Sequence, residues 1–349
     1  MGKKRICVVT SDALFVRGGH IVIAETLVQK LKEYGYLSYL IKTPSNRFGR
    51  QFSAYLANRL TDVGMTADDH KIDQVISLRY PSYAVRHPHQ ICWINHRMRW
   101  YYDLWPQLCS HISWNNKIKE GIRRFFIRRV DNYLLKHNVS KIYAQSKTIQ
   151  KRLFDWGKIP SEVLYPPPPE RPYRIDGYEN FIFTASRLDP LKRLDLLINA
   201  FSHIKNKSLH CYIAGEGSKR EELQTLIKRK KLEERITLLG SITDQELIDY
   251  YARCRAVFFA PIREDYGFVT LEAFRSHKPV ITCTDSGGPA ELVKNGETGF
   301  IVEPESEKIA YELDQLAESE SLAEELGSQA YQFSLSFSWE KAIDKLVVV

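Results

Sequence analysis

The sequence predicts an α/β protein made of two Rossmann-like domains that face each other across a cleft. Three observations lead there. Short apolar stretches alternate with helical patterns through both halves of the 349 residues, the signature of doubly wound sheets. Loops that follow the apolar stretches carry glycine, base and acid, where such folds bind ligands. Finally, Pro166 to Pro169 interrupt the alternation. Consecutive prolines fit neither helix nor sheet interior and make a stiff connector. The expected division is therefore 1–165, then 166–335, with 336–349 as a closing helix that crosses back to the first domain.

In the first half, Arg5 to Thr10 reads as a buried strand and Ser11 to His20 as a loop ending in Gly18-Gly19. A helix follows from Ile21 to Tyr34, stopped by Gly35, then a strand from Leu37 to Ile41. Further strands are expected at 74–78, 90–94, 141–144 and 163–165, with a helix at 147–156. The stretch 97–140 is rich in aromatics and bases, and 117–136 within it reads as an amphipathic helix. It sets Ile118, Ile122, Phe125, Phe126, Arg129 and Tyr133 near one face.

The second half restarts the pattern: strands at 181–185, 210–214, 236–239, 257–260, 280–282 and 298–302. Helices are expected at 195–204, 219–230, 244–251, from about 269, and at 306–317 and 320–333, with a closing segment at 338–348.

Composition narrows the function classes. No stretch approaches the roughly 18 apolar residues of a membrane span. The start, MGKKRICVVTSD, reads as a first strand rather than a signal peptide and lacks a myristoylation pattern. Six cysteines without regular spacing argue for a reduced, cytoplasmic protein rather than a disulfide framework or zinc site. The net charge of +8 conceals an asymmetry: residues 1–165 hold 27 Lys and Arg against 12 Asp and Glu, while 166–349 hold 23 against 30. The basic half points to an anionic partner: nucleic acid, a membrane surface or an acidic ligand.

The candidate site starts from Glu264 and Glu272. They flank a strand-to-helix turn at Gly267, one in the loop and one a turn inside the helix. Amides at such a turn suit a phosphate, and a helical side chain leans back over that end. The pattern fits a nucleotide. Arg187 and Lys192 follow another strand of the same half, and together can bind a diphosphate. His96 closes the strand at 90–94. The loop Arg17-Gly18-Gly19-His20 lacks the G-x-G-x-x-G of a dinucleotide site, and Lys42-Thr43 stands where an acidic residue would close the second strand. NAD chemistry is not indicated, and neither is a metal site: His87 and His89 lack a third ligand, and no Asp-x-Asp occurs.

These residues resemble glycosyltransferase family 4, of the GT-B fold. The element EDYGFVTLEAF (264–274) resembles the family's E-x7-E motif. Ser186-Arg187-Leu188 with Lys192 resembles its G-R-L-x-x-x-K segment, and AGEG (214–217) its A/G-x-G loop. Leu239-Gly240-Ser241-Ile242 resembles its base-binding loop, Arg17-Gly18-Gly19 its N-terminal glycine loop, and WINH (93–96) the strand ending in a cleft histidine. GGPAELVKNGETGFIV (287–302) and Phe337-Ser338-Trp339-Glu340 resemble the last strand region and tail. Asp265, Tyr266, Arg97 and the proline run depart from the family pattern.

The resemblance implies a retaining, metal-independent transferase that needs no cofactor beyond a nucleotide-sugar substrate, by family preference a UDP-sugar. Gly18, Gly19, Arg187, Lys192, Val269 and Thr270 would bind the donor diphosphate. His96, Glu264, Gly267 and Phe268 would meet the sugar, Glu272 the ribose, and Gly240 and Ile242 the base. Glu264, His96, Arg187 and Lys192 would form the catalytic group. The acceptor would be a saccharide or lipid-linked saccharide in polysaccharide or glycoconjugate synthesis, met at the inner face of the membrane, with no nucleic acid involved. Two rivals stand beside this: a nucleotide-sugar epimerase or hydrolase of the same fold, and a non-catalytic basic membrane- or nucleic-acid-binding protein.

Overall fold

A computed structural model describes residues 3–12, 18–46 and 48–348. The chain divides into two compact units, Met1–Pro167 with Ser338–Val349, and Pro168–Phe337.

Unit 1 holds β1 (Arg5–Asp12), α1 (Gly19–Glu33), β2 (Leu37–Pro44), α2 (Gln51–Leu60), β3 (Gln74–Ser77), β4 (Gln90–Ile94), α3 (Trp105–His111), α4 (Trp114–His137), β5 (Lys141–Ala144), α5 (Lys147–Gly157) and β6 (Glu162–Val163). Its sheet is parallel, in the order β2-β1-β3-β4-β5-β6. Ile6 to Val9 are buried, as expected of a strand covered on both faces.

Unit 2 contains β7 (Phe181–Ala185), α6 (Leu194–Phe201), β8 (His210–Ala214), α7 (Arg220–Arg229), β9 (Ile236–Gly240), α8 (Asp244–Arg253), β10 (Ala256–Phe258), α9 (Phe268–Arg275), β11 (Val280–Cys283), α10 (Gly288–Leu292), β12 (Gly299–Val302), α11 (Ser306–Glu318) and α12 (Glu320–Ser334). This sheet is also parallel, in the order β12-β11-β10-β7-β8-β9. The last helix, α13 (Trp339–Leu346), belongs to unit 1. Its Trp339 packs edge-on against Trp93 at 6.1 Å. The Gln74 side chain donates to the Leu346 carbonyl at 2.6 Å and accepts from the Val348 amide at 3.1 Å.

The expected strands occur, with ends displaced by a few residues, and the six cysteines are free. Two helices escape the apolar periodicity. In α2 the buried face carries Gln51 and Asn58 beside Ala54 and Tyr55. Asn58 is satisfied by the Thr43 hydroxyl at 2.7 Å and the Ala54 carbonyl at 2.8 Å, so a polar residue holds a core position. In α3 no residue is buried.

The helix expected at 117–136 is longer, spanning Trp114–His137, and it leaves apolar residues outside while burying two acids. Ile118, Ile122, Phe125, Phe126 and Tyr133 are all more than half exposed. The packed face carries Glu120, Ile127, Asp131, Leu134 and Leu135. Asp131 is fully buried and accepts from the hydroxyls of Tyr55, Tyr83 and Tyr102, the last at 2.7 Å. Burial raises its carboxyl above the usual range, and the nearby Arg97 charge and the three hydroxyls oppose that rise. One acid thus ties α2, the 82–84 turn and the 99–104 segment to α4.

Replacing Asp131 with Ala leaves three buried hydroxyls without their acceptor, at about 1–3 kcal/mol for each unsatisfied group. Urea denaturation is expected to show a loss of at least ~3 kcal/mol for Asp131→Ala, against under ~0.5 kcal/mol for the exposed Lys119→Ala.

Candidate functional site

In unit 2 the strand order reverses beside β7: the chain runs outward through β8 and β9, then returns so that β10 lies on the other side of β7. The loops after β7 and β10 therefore diverge at a topological switch point, where open parallel sheets bind ligands. Those are the loops that carry Arg187, Lys192 and Glu264.

After β7 the chain turns through Pro190–Lys192, with Asp189 capping the Leu191 amide at 3.0 Å. Lys192 extends from that turn to Glu264, Nζ to Oε2 at 2.7 Å, with both side chains partly exposed. Arg187 is 76% exposed and lies 3.3 Å from Asp189. Arg193 next in line has a left-handed backbone, φ 50°. Its guanidinium bonds the Ala260 carbonyl at 2.8 Å and both oxygens of Asp285 at 2.7 and 2.9 Å. Those bonds tie the loops after β7, β10 and β11 together.

Glu264 is held by its own backbone. Its amide donates to the Ser286 carbonyl at 2.8 Å and its carbonyl accepts from Gly288 at 3.0 Å. A Cβ on Gly288 would collide with the Tyr266 backbone, and one on Gly267 would meet Phe259 and Pro289 at 2.9 Å each. Gly267, at φ 89°, opens α9 with no side-chain cap, so the first-turn amides of Phe268 and Val269 have no such partner at the positive end of the helix. Thr270, in the same turn, is fully buried, and its amide bonds the Gly267 carbonyl at 3.1 Å.

Glu272 lies deeper, 7% exposed. Tyr251 donates to its Oε2 at 3.2 Å, while Arg171 and Tyr173, the latter at 3.4 Å, approach Oε1. Burial pushes the Glu272 carboxyl above its usual range and the Arg171 charge acts against that. Neither Arg171 nor Tyr173 stood out in the sequence, because they follow the proline run in a stretch without secondary structure.

Gly240 closes β9 with φ 75°, and its carbonyl accepts from Gly215 at 2.7 Å. Ile242 is half-buried just before α8, which begins with a capping box between Thr243 and Glu246. Gly215 and Gly217 let the loop after β8 close on the Ser186–Leu188 backbone, which a Cβ at either position would strike.

Unit 1 carries the remaining candidates. Gly18 is the N-cap of α1, with no side-chain bond, and Gly19 is exposed; Arg17 lies outside the described residues. His20 follows, its pKa lowered to about 3 by burial and by the neighbouring Arg79 and His96. His96 Nδ1 sits 2.8 Å from the Arg97 carbonyl. A carbonyl only accepts, so Nδ1 carries a proton. Arg97 turns inward, bonding Asn132 and the Arg152 carbonyl at 3.0 Å each and stacking on Tyr102 at 4.0 Å.

Residues 170–333 match the Glycosyl transferases group 1 family. An uncharacterized glycosyltransferase of Methanocaldococcus jannaschii is 28% identical over 207 residues, 59% of this chain and 58% of that protein. The N-acetylgalactosamine-N,N'-diacetylbacillosaminyl-diphospho-undecaprenol 4-alpha-N-acetylgalactosaminyltransferase of Campylobacter jejuni is 36% identical over 135 residues, 38% of this chain and 36% of that protein. The matched stretches thus span about half or less of these curated relatives. Among solved structures, Anabaena HepE in complex with UDP and glucose aligns over 97% of this chain and 99% of its own, with TM-score 0.66 and 17% identity.

The glycine contacts give a direct check. Gly215→Ala places a Cβ against the Ser186 carbonyl at a positive φ, a strain of order 1–3 kcal/mol. A lower melting temperature is expected, by several degrees, together with loss of any ligand that needs Arg187 and Lys192 in register.

Proposed function

We propose that this chain, whose residues 170–333 match the Glycosyl transferases group 1 family, is a glycosyltransferase of the GT-B fold, a retaining, metal-independent hexosyltransferase of the family-4 type. It moves a sugar from a nucleoside-diphosphate sugar, a UDP-sugar, to a saccharide or lipid-linked saccharide in polysaccharide or glycoconjugate synthesis. The observation that carries the reading is the Lys192–Glu264 pair at the switch point, beside the uncapped start of α9.

The chemistry follows from that placement. A lysine ammonium has three donors. One is held by Glu264, which leaves the others for the diphosphate. Arg187 adds a fork, and the amides of Phe268 and Val269 add the helix end. Together they meet the charge that grows on the departing diphosphate, and stabilising such developing charge is usually the largest single source of rate enhancement. Glu264 also accepts from donor-sugar hydroxyls, and Gly267 presents its backbone amide to the sugar. Glu272 accepts from the ribose, and Gly240 and Ile242 border the base. His96 serves the donor sugar in the same family-4 reading. The acceptor oxygen attacks the anomeric carbon on the face the diphosphate leaves. The new C–O bond forms as the old one breaks, and the departing phosphate oxygen takes the acceptor proton.

UDP in HepE and the undecaprenyl diphosphate in the name of the Campylobacter enzyme support the donor and acceptor classes. A working place on the inner face of an anionic membrane is supported by the exposed apolar face of α4, with Arg129 lying over Phe125 at 4.3 Å. No helix among the described residues is long and apolar enough to cross a membrane.

Lys192→Ala and Glu264→Ala are each expected to lower UDP-sugar turnover by about 10²–10³-fold, measured as UDP release with saccharide acceptors. Unchanged turnover in both would sink the donor site; equal turnover of wild type with and without acceptor would point to the hydrolase or epimerase instead. Sedimentation with phosphatidylglycerol vesicles should fall when Ile122 and Phe126 are both changed to Ser, and should weaken with salt.

A further inference from the structure

The nucleotide-site carboxylate is already crowded. Glu272 Oε1 takes the Arg171 guanidinium and the Tyr173 hydroxyl at 3.4 Å, and Oε2 takes the Tyr251 hydroxyl at 3.2 Å. A carboxylate accepts about four hydrogen bonds, so roughly one position is left. A ribose diol brings two donors. One of the three present partners has to yield if the diol binds with both.

The three are not equally able to leave. Tyr251 is fully buried on α8 and packs edge-on to Phe183 at 5.1 Å; its hydroxyl cannot move without the helix. Arg171 is clamped at both ends, one nitrogen on Glu272 and the other on Asp244 Oδ1 at 3.2 Å. Its departure would strand a buried carboxylate without a counter-charge, which is far more costly than losing a neutral bond. Tyr173 makes the longest contact, is neutral, and lies in a stretch with no secondary structure. It shares that stretch with Arg171, a few residues past the unit boundary at Pro167.

We propose that Arg171 and Tyr173 are positioning residues of the nucleotide site: Arg171 holds the Glu272 carboxylate ionised and in place, and Tyr173 occupies the acceptor position that the ribose takes over. This rests on the ribose role given to Glu272 above. It makes donor entry an exchange on one carboxylate, in which a hydroxyl of the segment after the prolines is released.

The two residues have opposite signs. With Arg171 gone, the groups facing Glu272 are the neutral hydroxyls of Tyr173 and Tyr251, with Asp244 left unpaired nearby. Burial then favours the protonated acid, which has lost an acceptor oxygen. Binding is therefore weakest at low pH and returns as pH rises and the proton leaves. With the Tyr173 hydroxyl gone, the competitor is gone, and the diol binds without displacement.

The test is calorimetric binding of UDP and of 2′-deoxy-UDP to the full chain at pH 6.0 and 8.5, each variant expressed as a ratio to wild type so that titration of the ligand cancels. Arg171→Met is expected to bind UDP at least tenfold more weakly at pH 6.0 and to recover part of that loss at pH 8.5. Arg171→Lys, which keeps the charge, should remove that pH dependence and covers the case in which the methionine variant does not fold. Tyr173→Phe is expected to tighten UDP two- to fivefold and leave 2′-deoxy-UDP unchanged. The inference is overturned if Arg171→Met matches wild type at both pH values, or if Tyr173→Phe leaves UDP binding equal or weaker. Failure of the underlying reading looks different: wild type would not bind UDP, or Glu272→Gln would bind it as well as wild type.

Discussion

The reversal of strand order beside β7 is the constraint on which the rest of unit 2 depends. Two neighbouring parallel strands whose connections leave in opposite directions open a crevice beyond their carboxyl ends. There Lys192 and Glu264, 72 apart in sequence, meet at 2.7 Å. The consequence is placement: the pair presents an oriented ammonium and an oriented carboxylate at the uncapped start of α9. Arg193 does the holding, through two oxygens of Asp285 and the Ala260 carbonyl.

Close backbone approach is the second feature of the same unit. Gly215 and Gly217 against Ser186–Leu188, and Gly288 against Tyr266, are contacts that any Cβ would prevent. Each brings a loop from a different strand end within hydrogen-bonding reach of its neighbour, as Gly215 to Gly240 and Gly288 to Glu264 show. The loops that border the site are therefore one bonded layer. Glu272 sits beneath it among Arg171, Tyr173 and Tyr251, where the same burial that raises its carboxyl makes the adjacent guanidinium matter.

Unit 1 is organised on a different principle. A buried acid with three tyrosine hydroxyls, Asp131 with Tyr55, Tyr83 and Tyr102, fastens α4 to the rest. The apolar face of that helix is left outward. That arrangement explains why the stretch 97–140 resisted reading. The core face of α4 mixes Glu120 and Asp131, which periodicity counts as surface, with Ile127, Leu134 and Leu135, while Ile118, Ile122, Phe125 and Phe126 are exposed. Helix α2 hides for the same reason, with Gln51 and Asn58 in core positions.

By itself the sequence determined the elements and their class. Alternating apolar and amphipathic stretches specify strands and helices locally, and glycine, base and acid after strands mark the loop ends that a parallel sheet must gather on one side. Arg187, Lys192, Glu264, Gly267 and Glu272 were all legible on that ground. What only the tertiary structure decided were relations between residues far apart in the chain. It set the strand order that joins the loops after β7 and β10, buried Thr270 and Arg97, and brought Arg171 and Tyr173 onto Glu272 from some 100 residues away. Local propensity carries no information about such contacts, because they exist only once the sheet has fixed which strand ends are neighbours.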